Sequence, residues 1–159
     1  MNKYVSRFMD GSASITVSEL QQEWAGWNEC DQVEFCNHSH CLAGQADYPE
    51  MLRFIMDNGG PRDWSSLAIN IARHLPREEA FAFLVRVLQD RSCPSANVSK
   101  AISMTKHPDA ESELRRHLAD LWANPDLWKD DPFLNWICFD AATCIGHLVE
   151  LGAPAGDFV

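Results

Sequence analysis

The chain has 159 residues, of which 46% are hydrophobic and 23% charged, and a formal net charge of −10. That length and composition predict one globular domain with a real core. No stretch reaches the ~20 apolar residues of a membrane span, and an acidic chain repels nucleic-acid phosphate and anionic lipid, so neither nucleic acid nor membrane is expected as a partner.

The N-terminus, Met1 to Arg7, lacks an apolar run of signal-peptide length, so the expected compartment is the cytoplasm, with the six cysteines reduced. The charge is uneven. Between Phe8 and Leu52 there are eight acids and no Lys or Arg, whereas Arg53 to Pro125 carries nine acids and ten bases. An acidic surface of this kind attracts a cationic partner, although acids also serve plain solubility.

Residues 1–14 read as an irregular lead-in. Thr16 and Glu19 form a capping box, and a helix follows through about Asn28 with Val17, Leu20, Trp24 and Trp27 on one stripe. Trp24 is expected in the core, and Trp27 is a candidate for an interface.

Cys30 to Cys41 offers five zinc-ligand types: Cys30, Cys36, His38, His40 and Cys41. Their spacing departs from the usual pairing on two knuckles, so metal binding is the alternative reading. The plainer one is a turn or loop with Phe35, Cys36 and Cys41 inward and the histidines solvated. A Cys–His nucleophile would need a third, orienting group, and nothing local supplies one.

Asp47 is expected to cap the next helix, whose apolar face is Met51, Leu52, Phe54, Ile55 and Met56. Asn58-Gly59-Gly60-Pro61 ends it, with Gly59 suited to a left-handed stop. Two helical hairpins then occupy residues 63–122: Asp63–His74 with Arg77–Asp90, and Ser95–Thr105 with Asp109–Trp122. Pro76 and Pro108 stand where each second helix begins, the first-turn position where a missing N–H costs nothing. Acids open these helices and bases come later, as the helix dipole favours. Asn124-Pro125 starts a short turn, and Asp131-Pro132 caps a last helix over 132–151, closed by Gly152. Its expected apolar face is Phe133, Trp136, Ile137, Ile145, Leu148 and Val149, with Cys138 and Cys144 as small core residues. Asp140, among apolar neighbours, is expected to bond a neighbouring helix end. Residues 153–159 read as a loosely held tail.

The two hairpins align with each other. Leu67 and Ile71 match Val98 and Ile102, while Ala80, Leu84, Val87 and Leu88 match Leu114, Leu118, Leu121 and Trp122, at offsets of 31 and 34 residues. A hairpin repeating at such a period is how α-solenoids read, although any two amphipathic helices align somewhere. Together with Leu67-Ala68-Ile69-Asn70-Ile71-Ala72 before Pro76, and Val98-Ser99-Lys100-Ala101-Ile102 before Pro108, the chain resembles a small HEAT- or armadillo-type protein. Its repeats are shorter than is usual there. The resemblance implies an all-α fold of about 6–8 helices stacked as right-handed hairpins, with a surface that binds another protein. It carries over no catalytic residues and no cofactor.

The chain is also similar to small acidic bacterial immunity proteins, each of which blocks one toxin. That likeness implies a non-enzymatic inhibitor of a basic protein. The residues expected at the contact are Trp27, Glu29, Asp31, Glu34 and Asp47, from the stretch without a basic residue. A zinc-binding helical protein, an enzyme whose site is assembled from separated His, Asp and Cys residues, and a scaffold subunit are the other readings.

Overall fold

A computed structural model describes residues 14–90, 95–123 and 135–158, with residues 135–137 described by their backbone alone. The expected lead-in over residues 1–13, the turn after Asn124 and the Asp131-Pro132 cap lie outside these residues, as do the side chains of Phe133, Trp136 and Ile137. The described chain is all-α, with eight α-helices and no strand: α1 (Val17–Trp24), α2 (Glu29–His38), α3 (Tyr48–Asn58), α4 (Pro61–His74), α5 (Arg77–Gln89), α6 (Ala96–Thr105), α7 (Ala110–Trp122) and α8 (Asn135–Glu150). Short 3-10 turns follow α2 (Ser39–Leu42) and α8 (Ala155–Phe158).

Most principal contacts join a helix to its successor or to its next-but-one neighbour. The even-numbered helices form one row, α2 on α4, α4 on α6 and α6 on α8. On the other side α1 packs on α3 and α5 on α7, while Arg53 of α3 reaches Glu79 of α5 through two hydrogen bonds of 2.7 and 2.9 Å. The positions that align between the hairpins are buried in both: Leu67, Ile71, Val98 and Ile102 in the even row, and Ala80, Leu84, Val87, Leu114, Leu118 and Leu121 opposite. The alignment fails at its last pair, since Leu88 is buried and Trp122 is 43% exposed.

Local chemistry moves several boundaries. The Thr16–Glu19 capping box forms as expected. Helix α1, however, stops at Trp24 rather than Asn28, because Gly26 lies in a turn and Asn28 starts a new helix by accepting the Asp31 N–H at 3.0 Å. Asp47 is the N-cap residue of α3, as expected, but its side chain makes no capping bond; its carboxylate accepts from the Val17 N–H at 3.4 Å instead. Helix α4 begins at Pro61, so Asp63 is not its N-cap but its third residue, and it reaches back to the Gly60 N–H at 2.8 Å. Gly59 is extended (φ −86, ψ 174), not left-handed. Its requirement is space: a Cβ there would lie 2.7 Å from the Ile55 carbonyl oxygen. Pro76 is the N-cap of α5, and Pro108 precedes Asp109, the N-cap of α7, so both prolines stand just outside the first turn.

At the other end, Asp140 bonds the start of α6 through Ser95, as its apolar surroundings suggested. Gly152 takes the left-handed conformation (φ 100) after α8. Cys144 is buried, but Cys138 is exposed and Val149 is 43% exposed, because both lie on the side of α8 away from α6 and α7. The tail is tethered rather than loose: Asp157 accepts from Arg115 at 2.8 Å, and the same guanidinium lies 5.3 Å from the Phe158 ring centre.

Candidate functional site

Helix α2 forms because Asn28 caps it and Glu29 and Asp31 lie in its first turn, where negative charge suits the helix dipole. One side of it is fixed in the core by Phe35 and Cys36, both 0% exposed. Positions 30, 33, 34 and 37 then fall on the opposite, outward side at helical spacing. With Glu29, Asp31 and Arg62 of α4 they line an open groove of about 470 Å³. Three carboxylates, Glu29, Asp31 and Glu34, thus face one groove, in which Arg62 is the base among the described lining residues.

Arg62 lies 3.6 Å from Glu29, but both side chains are about two-thirds exposed, so the pair is weak and screened by salt. Asp31 accepts from the Asn28 side-chain amide at 2.8 Å, which holds its carboxylate at the helix start. Behind the groove is a buried seam. Cys36 Sγ lies 4.0 Å from Asp63 Oδ1. Burial and then the Asp63 charge push the Cys36 thiol well above its ordinary range. The Asp63 carboxyl is raised chiefly by burial, against the lowering effect of the Gly60 N–H. Further along, Ser39 donates to the Cys36 carbonyl at 2.9 Å and pairs with the Tyr48 hydroxyl at 3.3 Å. A thiol held protonated and enclosed in this way is a poor nucleophile.

Of the five expected contact residues, the structure brings Glu29, Asp31 and Glu34 together. Asp47 is taken up with Val17, away from the groove. Trp27 is half-buried in the turn after α1, with ring centres 5.7 Å from Trp24 and 5.1 Å from Phe35, so it supports the end of α2 rather than lining the groove. Sequence reasoning missed Cys30, Val33 and Asn37 as lining residues, although their spacing within a helix was a usable signal; Arg62 comes from a different helix and gave none.

The five potential zinc ligands are dispersed. Cys36 faces inward, while Cys41 is exposed rather than inward as expected, because it falls in the 3-10 turn and Ser39 and Leu42 take the buried positions. His38 Nδ1 is 2.9 Å from the Glu34 carbonyl oxygen. Among the described residues no three His, Cys, Asp or Glu side chains are placed to hold a metal ion. Cys41 Sγ and His40 Nε2 are 3.6 Å apart, but the other imidazole nitrogen faces the Asn37 carbonyl, not a carboxylate. Among the described residues no helix is long and apolar enough to cross a membrane.

The fold and the site thus define an all-α chain with an acidic groove on its second described helix. Comparison with protein-family models, curated proteins and solved structures yields no match.

Proposed function

We propose that the protein is a non-catalytic protein-binding module, an immunity protein that captures and blocks one basic toxin in the cytoplasm through the acidic side of α2. The observation that carries this reading is the alignment of Glu29, Asp31 and Glu34 along one groove. Such an array draws a cationic partner over a distance of about one Debye length, ~8–10 Å at ordinary salt, and raises its capture rate. Val33 supplies an apolar floor between the acids, which suits a basic side chain with a long aliphatic stem. The resemblance to HEAT- and armadillo-type right-handed stacks, which present a surface to another protein, supports the same reading.

The test is affinity capture from a host lysate at low and high salt, with mass spectrometry and zinc analysis of the same eluate, repeated with Glu29→Lys/Glu34→Lys. The expected result is one basic protein, retained at low salt, weakened at high salt and lost in the variant; its on-rate should fall by roughly tenfold or more. No stoichiometric partner at either salt would sink the inhibitor reading. One bound zinc per chain in that sample would transfer the function to the Cys30–Cys41 stretch.

A further inference from the structure

Helices α4 and α6 stand in the middle of the even-numbered row, each with a row neighbour on both sides and odd-numbered helices behind, so their free side is the outward one. The exposed residues of α4 are Arg62 and Arg73, and those of α6 are Asn97 and Lys100. Positions 62, 66, 69 and 73 recur at helical spacing, as do 97, 100 and 104, so the bases share the outward face with half-buried Ser66, Ile69 and Met104. No acid joins them, since the sequence has none between Asp63 and Glu78 or between Asp90 and Asp109, in a chain with 23 acids and 13 bases. Glu78 and Asp109 lie past the ends of the two helices, beside Arg77 and His107, and the exposed acid of α8 is Glu150, its last residue. The helix dipole accounts for Arg73 in the last turn of α4, but not for Lys100 in mid-helix, and it opposes Arg62 in the first turn. The arginines that form ion pairs among the described residues are Arg53, Arg62, Arg77, Arg115 and Arg116, so Arg73 and Lys100 face solvent without a carboxylate partner there.

We propose that this basic strip is the second half of the contact surface that begins at the α2 groove, and that the captured protein carries carboxylates beside the basic residues that enter the groove. The inference rests on the capture reading above and adds the other half of the partner's chemistry. Arg62 belongs to both halves, since it lines the groove and opens the strip. Packed helices stand ~8–10 Å apart, so α6 lies roughly 16–20 Å from α2. A specific contact covers ~800 Å² on each side, roughly 30 Å across. A protein centred on the groove, between α2 and α4, therefore reaches α6 and meets Arg73 and Lys100. A surface that is basic throughout is repelled by those two side chains; carboxylates at that distance turn the repulsion into attraction. Ile69 and Met104 give the strip an apolar ground between its charges. The order of charge, negative on α2 and positive on α4 and α6, also fixes which way round the partner sits and rejects a uniformly cationic one.

Two labelled peptides, titrated with the full chain at low salt and followed by fluorescence anisotropy, test this. Each begins with four arginines and continues with six prolines, a stiff spacer of ~19 Å that keeps the two ends apart. One ends in four glutamates and the other in four serines. Net charge alone favours the serine peptide, because it is the more cationic and the chain carries −10. The expected result is the reverse, with the glutamate peptide bound about three- to tenfold more tightly. Arg73→Glu/Lys100→Glu should abolish that advantage and leave the serine peptide bound equally or better, with unchanged helical circular dichroism, since both sites are exposed. Glu29→Lys/Glu34→Lys should weaken both peptides. A serine peptide bound as tightly as the glutamate one, and still dependent on Glu29 and Glu34, overturns the inference and leaves the α2 reading standing. Equal weakening of both peptides by Arg73→Glu/Lys100→Glu also overturns it. Binding of neither peptide, or binding indifferent to Glu29 and Glu34, removes the α2 reading and this inference together.

Discussion

The Asp140 carboxylate accepts both the backbone N–H and the hydroxyl of Ser95, a residue 45 positions earlier in the chain. The N–H bond is 3.1 Å long. Asp140 is 4% exposed and Ser95 5%, so the bonds form out of water. Ser95 directly precedes α6, whose first N–H groups lack helical partners, and the carboxylate supplies negative charge at that end. One side chain of α8 therefore fixes both the start and the position of α6.

Removing that acceptor should be costly. Asp140→Ala leaves a buried N–H and hydroxyl without their partner, and should destabilise the fold by about 2–3 kcal/mol. That corresponds to a fall of roughly 5–10 °C in melting temperature. A double-mutant cycle with Ser95→Ala checks the cause: the two losses should be clearly less than additive. Additive losses would mean that Asp140 acts through something other than Ser95.

Gly59 should resist even alanine. A Cβ there would stand 2.7 Å from the Ile55 oxygen and 3.2 Å from Asp63 Cβ, and backbone does not yield as a side-chain tip does. Gly59→Ala is expected to cost about 1–3 kcal/mol in urea denaturation. Gly44→Ala is the control, since nothing lies within 4 Å of that Cβ, and its effect should stay within about 0.5 kcal/mol.

How much of this was legible in the sequence depends on the kind of contact. The hairpin helices could be read to within one or two residues, because caps, prolines and apolar spacing are all local. Asp140 was legible as a polar residue in an apolar stretch, although its partner was not, since Ser95 is distant in sequence. Gly59 misled because a glycine after a helix most often marks a left-handed stop, and here close packing demands it instead. In the groove, the acids of α2 were visible but Arg62 was not. Trp27 and Asp47 were chosen for type and charge alone, and tertiary contacts take both elsewhere.

The Arg53–Glu79 pair makes a prediction in acid. The hydrogen bonds from Arg53 hold the Glu79 carboxyl below its ordinary 4.5, against a smaller upward effect of burial. A carboxyl whose folded pKa is lowered adds stability above 4.5, and that stability is lost as pH falls through the folded value. Glu79→Gln should flatten the stability–pH profile below 4.5 and leave the slope near neutrality unchanged. An identical acid limb in variant and parent would show that the pair is too exposed to matter.

Tyr48 makes the corresponding prediction in alkali. Burial raises its phenol from 10.0 to about 12, with the Ser39 hydrogen bond opposing. An unfolded chain ionises at 10.0, so stability should fall between pH 10.0 and about 12. With Tyr4→Phe removing the other tyrosine, absorbance near the phenolate band should rise only close to pH 12, together with loss of helical signal. A clean rise at 10.0 with the helices intact would place Tyr48 in contact with water.

Neighbour-to-neighbour packing also governs how the chain acquires its structure. Because the principal contacts join helices one or two steps apart, little chain entropy is spent closing long loops before a contact forms. Folding is therefore expected to be fast and to spread outward from the α4–α6 pair, the most extensive contact among the described helices. The same arrangement lets α1 and α2 open locally while α4, α6 and α8 stay assembled. Amide exchange should accordingly divide the protein into a quickly exchanging groove end and a slowly exchanging middle.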